Sequence, residues 1–210
     1  MKNVTVIDHP LVQHHLTRLR DRQTKPADFR ANIRRLATLT AYEATRDLGT
    51  RQCTVETPLE TARGLRIFQR IAVLTILRAG LGMVDPILDL IPEAEVWHLG
   101  IYRDEATLQP VEYYQKLPDT HAADVALVLD PMLATGGSLV AALDAVRRWG
   151  VPRTKVLAII AAPEGIRYLT ARHPDASIYV CAVDRELNEH AYIIPGLGDA
   201  GDRAFNTTGV

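Results

Sequence analysis

Cysteine is scarce in this chain: 210 residues include two, Cys53 and Cys181. They stand too far apart for a metal knuckle or a redox pair, and they read as buried thiols in a reducing compartment. No charge of one sign dominates either, since 24 basic side chains face 25 acidic ones for a net charge of -1. That balance argues against a dedicated nucleic-acid binder, which carries a strong basic excess. No stretch approaches the roughly 20 apolar residues of a membrane span. Near the start, His9, Pro10, His14, His15, Arg18 and Arg20 occupy the place where a secretory leader needs an apolar run. Internal repeats, low-complexity tracts, long linkers and His/Cys/Asp clusters with metal-cage spacing are missing as well. These absences lead to the expectation of a soluble cytoplasmic protein with no membrane or nucleic-acid partner.

What is present is ordinary globular composition, 47% hydrophobic and 23% charged. At roughly 100–200 residues per domain, the length suits one generous domain over residues 1–210. A chain of this size buries roughly 70% of its unfolded surface, so it needs neither disulfides nor metal as staples.

Two regimes run along the chain. Residues 1–50 read as a helical N-terminal extension, with Phe29, Ile33, Leu36, Ala37, Thr40 and Ala41 at helical spacing, opened by Thr24 and Pro26 and ended by Gly49. Residues 70–185 read as the core. There the apolar runs Ile71–Leu77, Val125–Leu129, Val156–Ile160 and Ile178–Val183 alternate with helical stretches at 82–90, 138–149 and 164–172. Nearly continuous apolar runs are strands covered on both faces, and strict alternation predicts an α/β fold with a parallel sheet flanked by helices. Ligands of such sheets bind beyond the carboxyl ends of the strands. Val96–Arg103 and Val111–Leu117, flanking Asp104–Thr107, break the alternation and suggest an antiparallel hairpin projecting from the core towards a partner subunit.

The most informative stretch is Asp130-Pro131-Met132-Leu133-Ala134-Thr135-Gly136-Gly137-Ser138, at the junction of a buried strand and a helix. Glycines let a backbone approach a ligand closely, and the free N–H groups of a first helical turn point at an anion. The hydroxyls of Thr135 and Ser138 add donors, and the helix dipole adds about 0.3–1 kcal/mol. The plainer alternative is a tight turn in which Thr135 or Ser138 merely caps the helix. A Walker A loop is excluded, because no Gly-Lys-Ser/Thr follows at the required spacing. Asp130 stands where a carboxylate can accept hydrogen bonds from ribose hydroxyls beside a phosphate cradle.

A strand ending in Asp and then Ala-Thr-Gly-Gly-Ser resembles the phosphoribosyl-diphosphate (PRPP) motif of the type I phosphoribosyltransferases. Most of that family carries two adjacent acids at the strand end, where this chain has Asp130 and Pro131. The whole run 130–138 is similar to the form found in uracil phosphoribosyltransferases, and the likeness extends along nearly all of the chain.

The resemblance implies roles elsewhere. Arg78, in Leu77-Arg78-Ala79-Gly80-Leu81-Gly82 at a strand end, is by itself either a solvated arginine or an anion ligand whose fork matches phosphate. In the family this loop grips diphosphate and often contains a non-proline cis peptide. Arg103 alone is a turn arginine, and the family places it on the diphosphate from a flexible arm. Residues 186–210 become a base-binding hood, with Ile193, Gly198, Asp199 and Ala200 on uracil and Asp199 also near PRPP. The same segment carries a formal Gly196-x-Gly198-x-x-Gly201, which tempts a dinucleotide reading. That reading fails because nine residues follow Gly201, too few for a βαβ unit. Ala161-Ala162-Pro163-Glu164-Gly165 also matches the family, yet Pro and Glu there are ordinary helix-opening chemistry.

The activity implied is pyrimidine salvage, in which uracil and PRPP give UMP and diphosphate. Mg2+ would be bound with PRPP, mainly through diphosphate oxygens and water, because magnesium keeps several waters and uses few carboxylates. No general base stands out. The hairpin and the amphipathic N-terminal helices suggest a homo-oligomer, and the resemblance implies a GTP activator, although no motif prints a GTP site. Two rivals stay open: a PRPP-sensing RNA-binding protein of the same fold, and a transferase using another base such as hypoxanthine or orotate.

Overall fold

The computed structural model describes residues 3–103, 110–118 and 122–207, with residues 102, 103 and 110 described for their backbone alone. In chain order the elements begin with β1 (Val4–Val6), α1 (Pro10–Arg20), α2 (Pro26–Ala44), β2 (Thr50–Glu56), β3 (Thr61–Ile67) and β4 (Ile71–Leu77). A 3-10 turn (Ala79–Met83) leads into α3 (Val84–Leu90), followed by β5 (Glu95–Arg103), β6 (Pro110–Gln115), β7 (Val125–Leu129), β8 (Met132–Leu133) and α4 (Gly137–Trp149). The remainder is β9 (Arg153–Ala161), α5 (Pro163–Arg172), β10 (Ser177–Val183), β11 (Glu186–Leu187), β12 (Ile193–Ile194) and α6 (Ala200–Phe205).

Among the described residues, eight strands form one sheet in the order β1-β10-β9-β7-β4-β5-β6, with β8 joined to β9. The neighbours from β1 to β5 all pair in parallel. Their alternating side chains supply two apolar layers. On one face Val73, Leu127 and Leu157 pack with α1, α2, α3 and the C-terminal residues Leu197, Ala200 and Ala204. On the other, Leu74, Val128 and Val156 pack with α4 and α5. Burial on both faces is why these strands read as unbroken apolar runs.

Three departures from the sequence reading stand out. The N-terminal region is not wholly helical, because β1 pairs in parallel with β10 and extends the sheet; three residues are too few for a periodic pattern. The expected hairpin forms, with Leu99 opposite Gln115 and Arg103 opposite Pro110. However, β5 also lies in parallel register with β4, so this hairpin is the edge of the main sheet and not a detached arm. Its Leu99 and Ile101 are buried, and a strand with such residues needs the cover that an arm lacks. The proposed connecting turn, Asp104–Thr107, lies outside the described residues. The hairpin that stands apart is β2–β3, a separate two-stranded sheet. Its sequence, rich in Thr and Arg, alternates apolar residues only over Cys53/Val55 and Leu65/Ile67, too briefly to recognise. Finally, residues 82–90 are not one helix: the chain leaves β4 through a 3-10 turn closed by Leu81 N–H on the Arg78 carbonyl, 3.1 Å, before α3 begins at Val84.

Candidate active site

Because β4, β7, β9 and β10 run in parallel, their carboxyl ends lie along one edge of the sheet. That edge gathers Arg78 after β4, Asp130 after β7, Pro163 after β9 and Asp184 after β10.

The loop after β7 is built on β9. The Pro131 carbonyl accepts the N–H groups of Ile159 and Ile160, at 3.0 and 3.1 Å, and Leu133 accepts that of Ala162 at 2.9 Å. Pro131 is buried against this strand, a place that does not suit a second metal-facing acid. Met132 and Leu133 form β8 in parallel with Ile160 and Ala161. Ala134 folds back onto the Met132 carbonyl at 3.0 Å, leaving Thr135 and Ser138 half-buried on either side of the glycines. Gly136 then takes φ 85, a left-handed conformation that favours glycine. A Cβ at Gly165, on α5, would stand 2.2 Å from the Ala134 carbonyl oxygen, so the helix and the loop meet backbone to backbone.

Gly136 is the N-cap of α4, and no side chain caps that helix. The capping alternative for Thr135 and Ser138 is therefore not what the structure does, and the first-turn N–H groups have no side-chain acceptor.

Asp130 accepts a hydrogen bond from Met132 N–H at 3.1 Å. Burial pushes its carboxyl up to about 7, the Met132 N–H pulls the other way, and the negative charge of Asp199 raises it further. Both residues, 69 positions apart, are ones that the sequence reading placed on PRPP.

Arg78 is exposed, in helical backbone conformation, and follows a cis peptide bond between Leu77 and Arg78. A Cβ at Gly80 would lie 2.4 Å from Thr75 Oγ1 and 2.7 Å from the Leu129 carbonyl, so only glycine lets this loop sit against the end of β7. Arg103 ends β5 at the same edge of the sheet, and its side chain lies outside the described residues.

The C-terminal segment turns back through β11 and β12, with Leu187 opposite Ile193. Gly196 and Gly198 have φ of 63 and 78, which breaks the chain away from β12. Asp199 caps α6 by accepting from Asp202 N–H at 2.8 Å. The side chains of Ile193 and Ala200 are buried in the core, which leaves their backbone as the part that can meet a planar ligand. The formal Gly-x-Gly-x-x-Gly thus makes a turn into a six-residue helix and not a dinucleotide fold.

The sequence reading missed the groups that hold this segment. Arg20, on α1, pairs with Asp184 and donates to the Gly196 carbonyl at 2.7 Å, while Asp184 accepts from Gly196 N–H at 2.9 Å. Arg203 donates to the carbonyls of Leu19, Leu197 and Asp21, with its guanidinium 4.5 Å from the centre of the Phe29 ring. The pairings of Arg20 with Asp184 and Gly196, and of Arg203 with Leu19, Asp21 and Phe29, span more than 160 residues and leave no local trace in a sequence. Among the described residues, no group of three or more His, Cys, Asp or Glu could hold a metal ion, and no helix is long and apolar enough to cross a membrane.

Comparison with known proteins agrees with this geometry. The family model described as uracil phosphoribosyltransferase matches residues 6–207. The chain is 57% identical over 207 residues to a uracil phosphoribosyltransferase of Roseiflexus sp. (strain RS-1), covering 99% of this chain and 100% of the relative. It is 55% identical to the enzyme of that name from Symbiobacterium thermophilum, with the same coverage. A solved protein from Aquifex aeolicus superposes with a TM-score of 0.93 at 35% identity, over 99% of this chain and 100% of that one. A hypoxanthine phosphoribosyltransferase from Trypanosoma cruzi shares the fold alone, at a TM-score of 0.50 and 13% identity over 75% of each chain. Together with the phosphate loop, the arginine loop and the hooked C-terminal segment, these matches establish that the chain belongs to the uracil phosphoribosyltransferase family.

Proposed function

We infer that the protein joins uracil N1 to ribose C1 of PRPP, giving UMP and diphosphate in pyrimidine salvage. The observation that carries this reading is the uncapped N-terminus of α4 behind Gly136 and Gly137, with Asp130 beside it. The loop 130–138 holds the 5′-phosphate through its backbone N–H groups and the hydroxyls of Thr135 and Ser138. Asp130 accepts from the ribose hydroxyls, helped by Asp199. Arg78 and Arg103 face the diphosphate, and the backbone of Ile193 and of Gly198–Ala200 matches the donors and acceptors along the edge of uracil.

In the transition state the ribose becomes oxocarbenium-like while charge grows on the departing diphosphate. The arginines oppose that charge and the hooked segment fixes the base on the other face, so catalysis is positioning and electrostatics. No side chain is assigned as base for the N1 proton. Mg2+ would be bound with PRPP, mainly through diphosphate oxygens and water, and would add to the neutralisation of the leaving group. The carboxylates of Asp130 and Asp199, hard oxygen acceptors whose charges act on one another, would suit its outer hydration shell.

A homo-oligomer is supported by the β2–β3 hairpin, which exposes Val55, Leu59, Leu65 and Ile67. GTP activation rests on the family resemblance, and a cytoplasmic location on the composition and cysteine usage. The near-zero net charge weighs against the RNA-binding alternative.

A nucleobase panel with PRPP and Mg2+ tests the activity, with products resolved chromatographically. UMP from uracil alone, lost on chelation, is expected. Product from another base only would overturn the uracil assignment, and tight PRPP binding without any product would favour the sensor reading. Arg103→Ala is expected to lower kcat/KM by about 10–100-fold in a folded protein, the loss of one charge-assisted contact.

A further inference from the structure

The first turn of α6 does more than follow the base-binding hook. Asp202 turns its carboxylate onto the arginine loop, with Oδ1 3.5 Å from Arg78 Nη2. The same oxygen accepts from Thr207 Oγ1 at 2.6 Å. The backbone of Asp202 is held at both ends: its N–H donates to Asp199 Oδ1 at 2.8 Å, and its carbonyl accepts from Thr207 N–H at 3.2 Å. The two loops also touch, since a Cβ on Gly201 would lie 3.9 Å from that of Ala79 and 3.2 Å from Asp199 Oδ1.

The asymmetry of the pair is informative. The Asp202 side chain is 23% exposed and fastened, while that of Arg78 is 57% exposed. A guanidinium carries five donors in a rigid fork, and one contact at 3.5 Å leaves most of them free. Such a contact does little for folding stability. It does restrict where a long, flexible cation can point, and immobilising such a side chain is a cost that binding otherwise bears.

We propose that Asp202 is a positioning residue that aims the Arg78 guanidinium at the diphosphate and makes the arginine loop and the base-binding hook one unit. The proposal rests on the functional reading above. In the bound state Arg78 keeps Asp202 on one edge of its fork and takes diphosphate oxygens on the others.

Steady-state kinetics and calorimetric binding of Mg2+–diphosphate test this. Asp202→Ala is expected to raise KM for PRPP and Kd for diphosphate about 5–10-fold, with kcat within about two-fold and an unchanged melting temperature. Asp202→Asn keeps an acceptor for both Arg78 and Thr207 and is expected to restore KM to within about two-fold. In an Arg78→Ala background, Asp202→Ala should add nothing, because its effect runs through the arginine. Additive losses in that background would overturn the proposal. So would tighter diphosphate binding by Asp202→Ala, which would make the carboxylate a competitor. If Asp202→Ala loses its cooperative melt, Thr207→Val takes its place and should shift KM in the same direction by about two- to three-fold; no shift would count against the proposal. Wild-type protein that binds neither PRPP nor diphosphate would overturn the functional reading itself, and this proposal with it. Binding without UMP formation would leave the proposal standing and remove only the choice of base.

Discussion

The Arg20 guanidinium grips both oxygens of the Asp184 carboxylate, at 2.7 and 2.5 Å, across 164 residues of chain. The pair fastens the first helix to the end of β10, two residues before the C-terminal hook begins at β11. The Asp184 side chain is 4% exposed and also accepts from Gly196 N–H. Removing one partner of a buried pair leaves the other uncompensated, at about 3–5 kcal/mol. Asp184→Ala should therefore lower stability by roughly that amount in denaturant titrations, and uracil binding should fail before the fold does. A variant with wild-type stability would show that the pair is not a fastening.

Asp130 predicts a pH dependence with a definite sign. Its folded-state pKa of about 7 lies above the ordinary 3.8, so the native state holds a proton that the unfolded chain has released. The group costs nothing below the unfolded pKa, and its destabilising effect grows as pH rises between the two values and is complete above about 7. Thermal melts from pH 5 to 8 should show the wild type losing ground to Asp130→Asn as pH rises. Parallel curves would mean that the carboxyl titrates normally.

Ribose hydroxyls donating to an ionised Asp130 favour its charged form. PRPP binding near pH 6.5 should therefore release more protons from the wild type than from Asp130→Asn, read by calorimetry in two buffers of different ionisation enthalpy. Equal release would remove Asp130 from the ribose.

Gly165 stands where α5 meets the phosphate loop, and a methyl group there would lie 2.2 Å from a backbone oxygen. Gly165→Ala should cost about 1–3 kcal/mol as overpacking and, by displacing Ala134, weaken PRPP binding at least about ten-fold. Gly64→Ala, where the nearest atom is Cys53 Sγ at 3.7 Å, is the control. Equal behaviour of the two variants would contradict the close approach.

Lys155 is buried on β9, where its Nζ donates to the Ala44 carbonyl at 2.5 Å and bonds Asp47. Burial alone would raise the Asp47 pKa, but the Lys155 hydrogen bond and the charges of Lys155 and Arg153 outweigh it and hold the value below normal. Asp47→Ala leaves a buried ammonium and should cost up to about 3 kcal/mol, whereas Lys155→Met replaces the ion by an apolar chain and should be nearly neutral. Denaturant titration of both variants decides, and a larger loss for Lys155→Met would reverse this account.

The arithmetic of local pattern explains what could be read beforehand. Ile71–Leu77 and Val125–Leu129 were legible to the residue, because a strand buried on both faces must be apolar throughout. The loop 130–138 was legible for a similar reason: its glycines, hydroxyls and acid follow one another within a single strand-to-helix turn. β1 was too short to show a period, and the apolar residues of β2 and β3 come in runs too short to show one. The edge strand β5 was read as part of an arm because its pairing with β6 is local, while its pairing with β4 is not.

By itself, then, the sequence determined the parallel core, the strand-to-helix loop 130–138 and the family to which both belong, since each is written in residues that are neighbours along the chain. Tertiary structure alone decided how the remaining half of the site is held. Arg20 reaches Asp184 and Asp202 reaches Arg78 only once the sheet brings its strand ends to one edge. Ion pairs between distant segments depend on where the backbone carries each charge, and no local spacing encodes that.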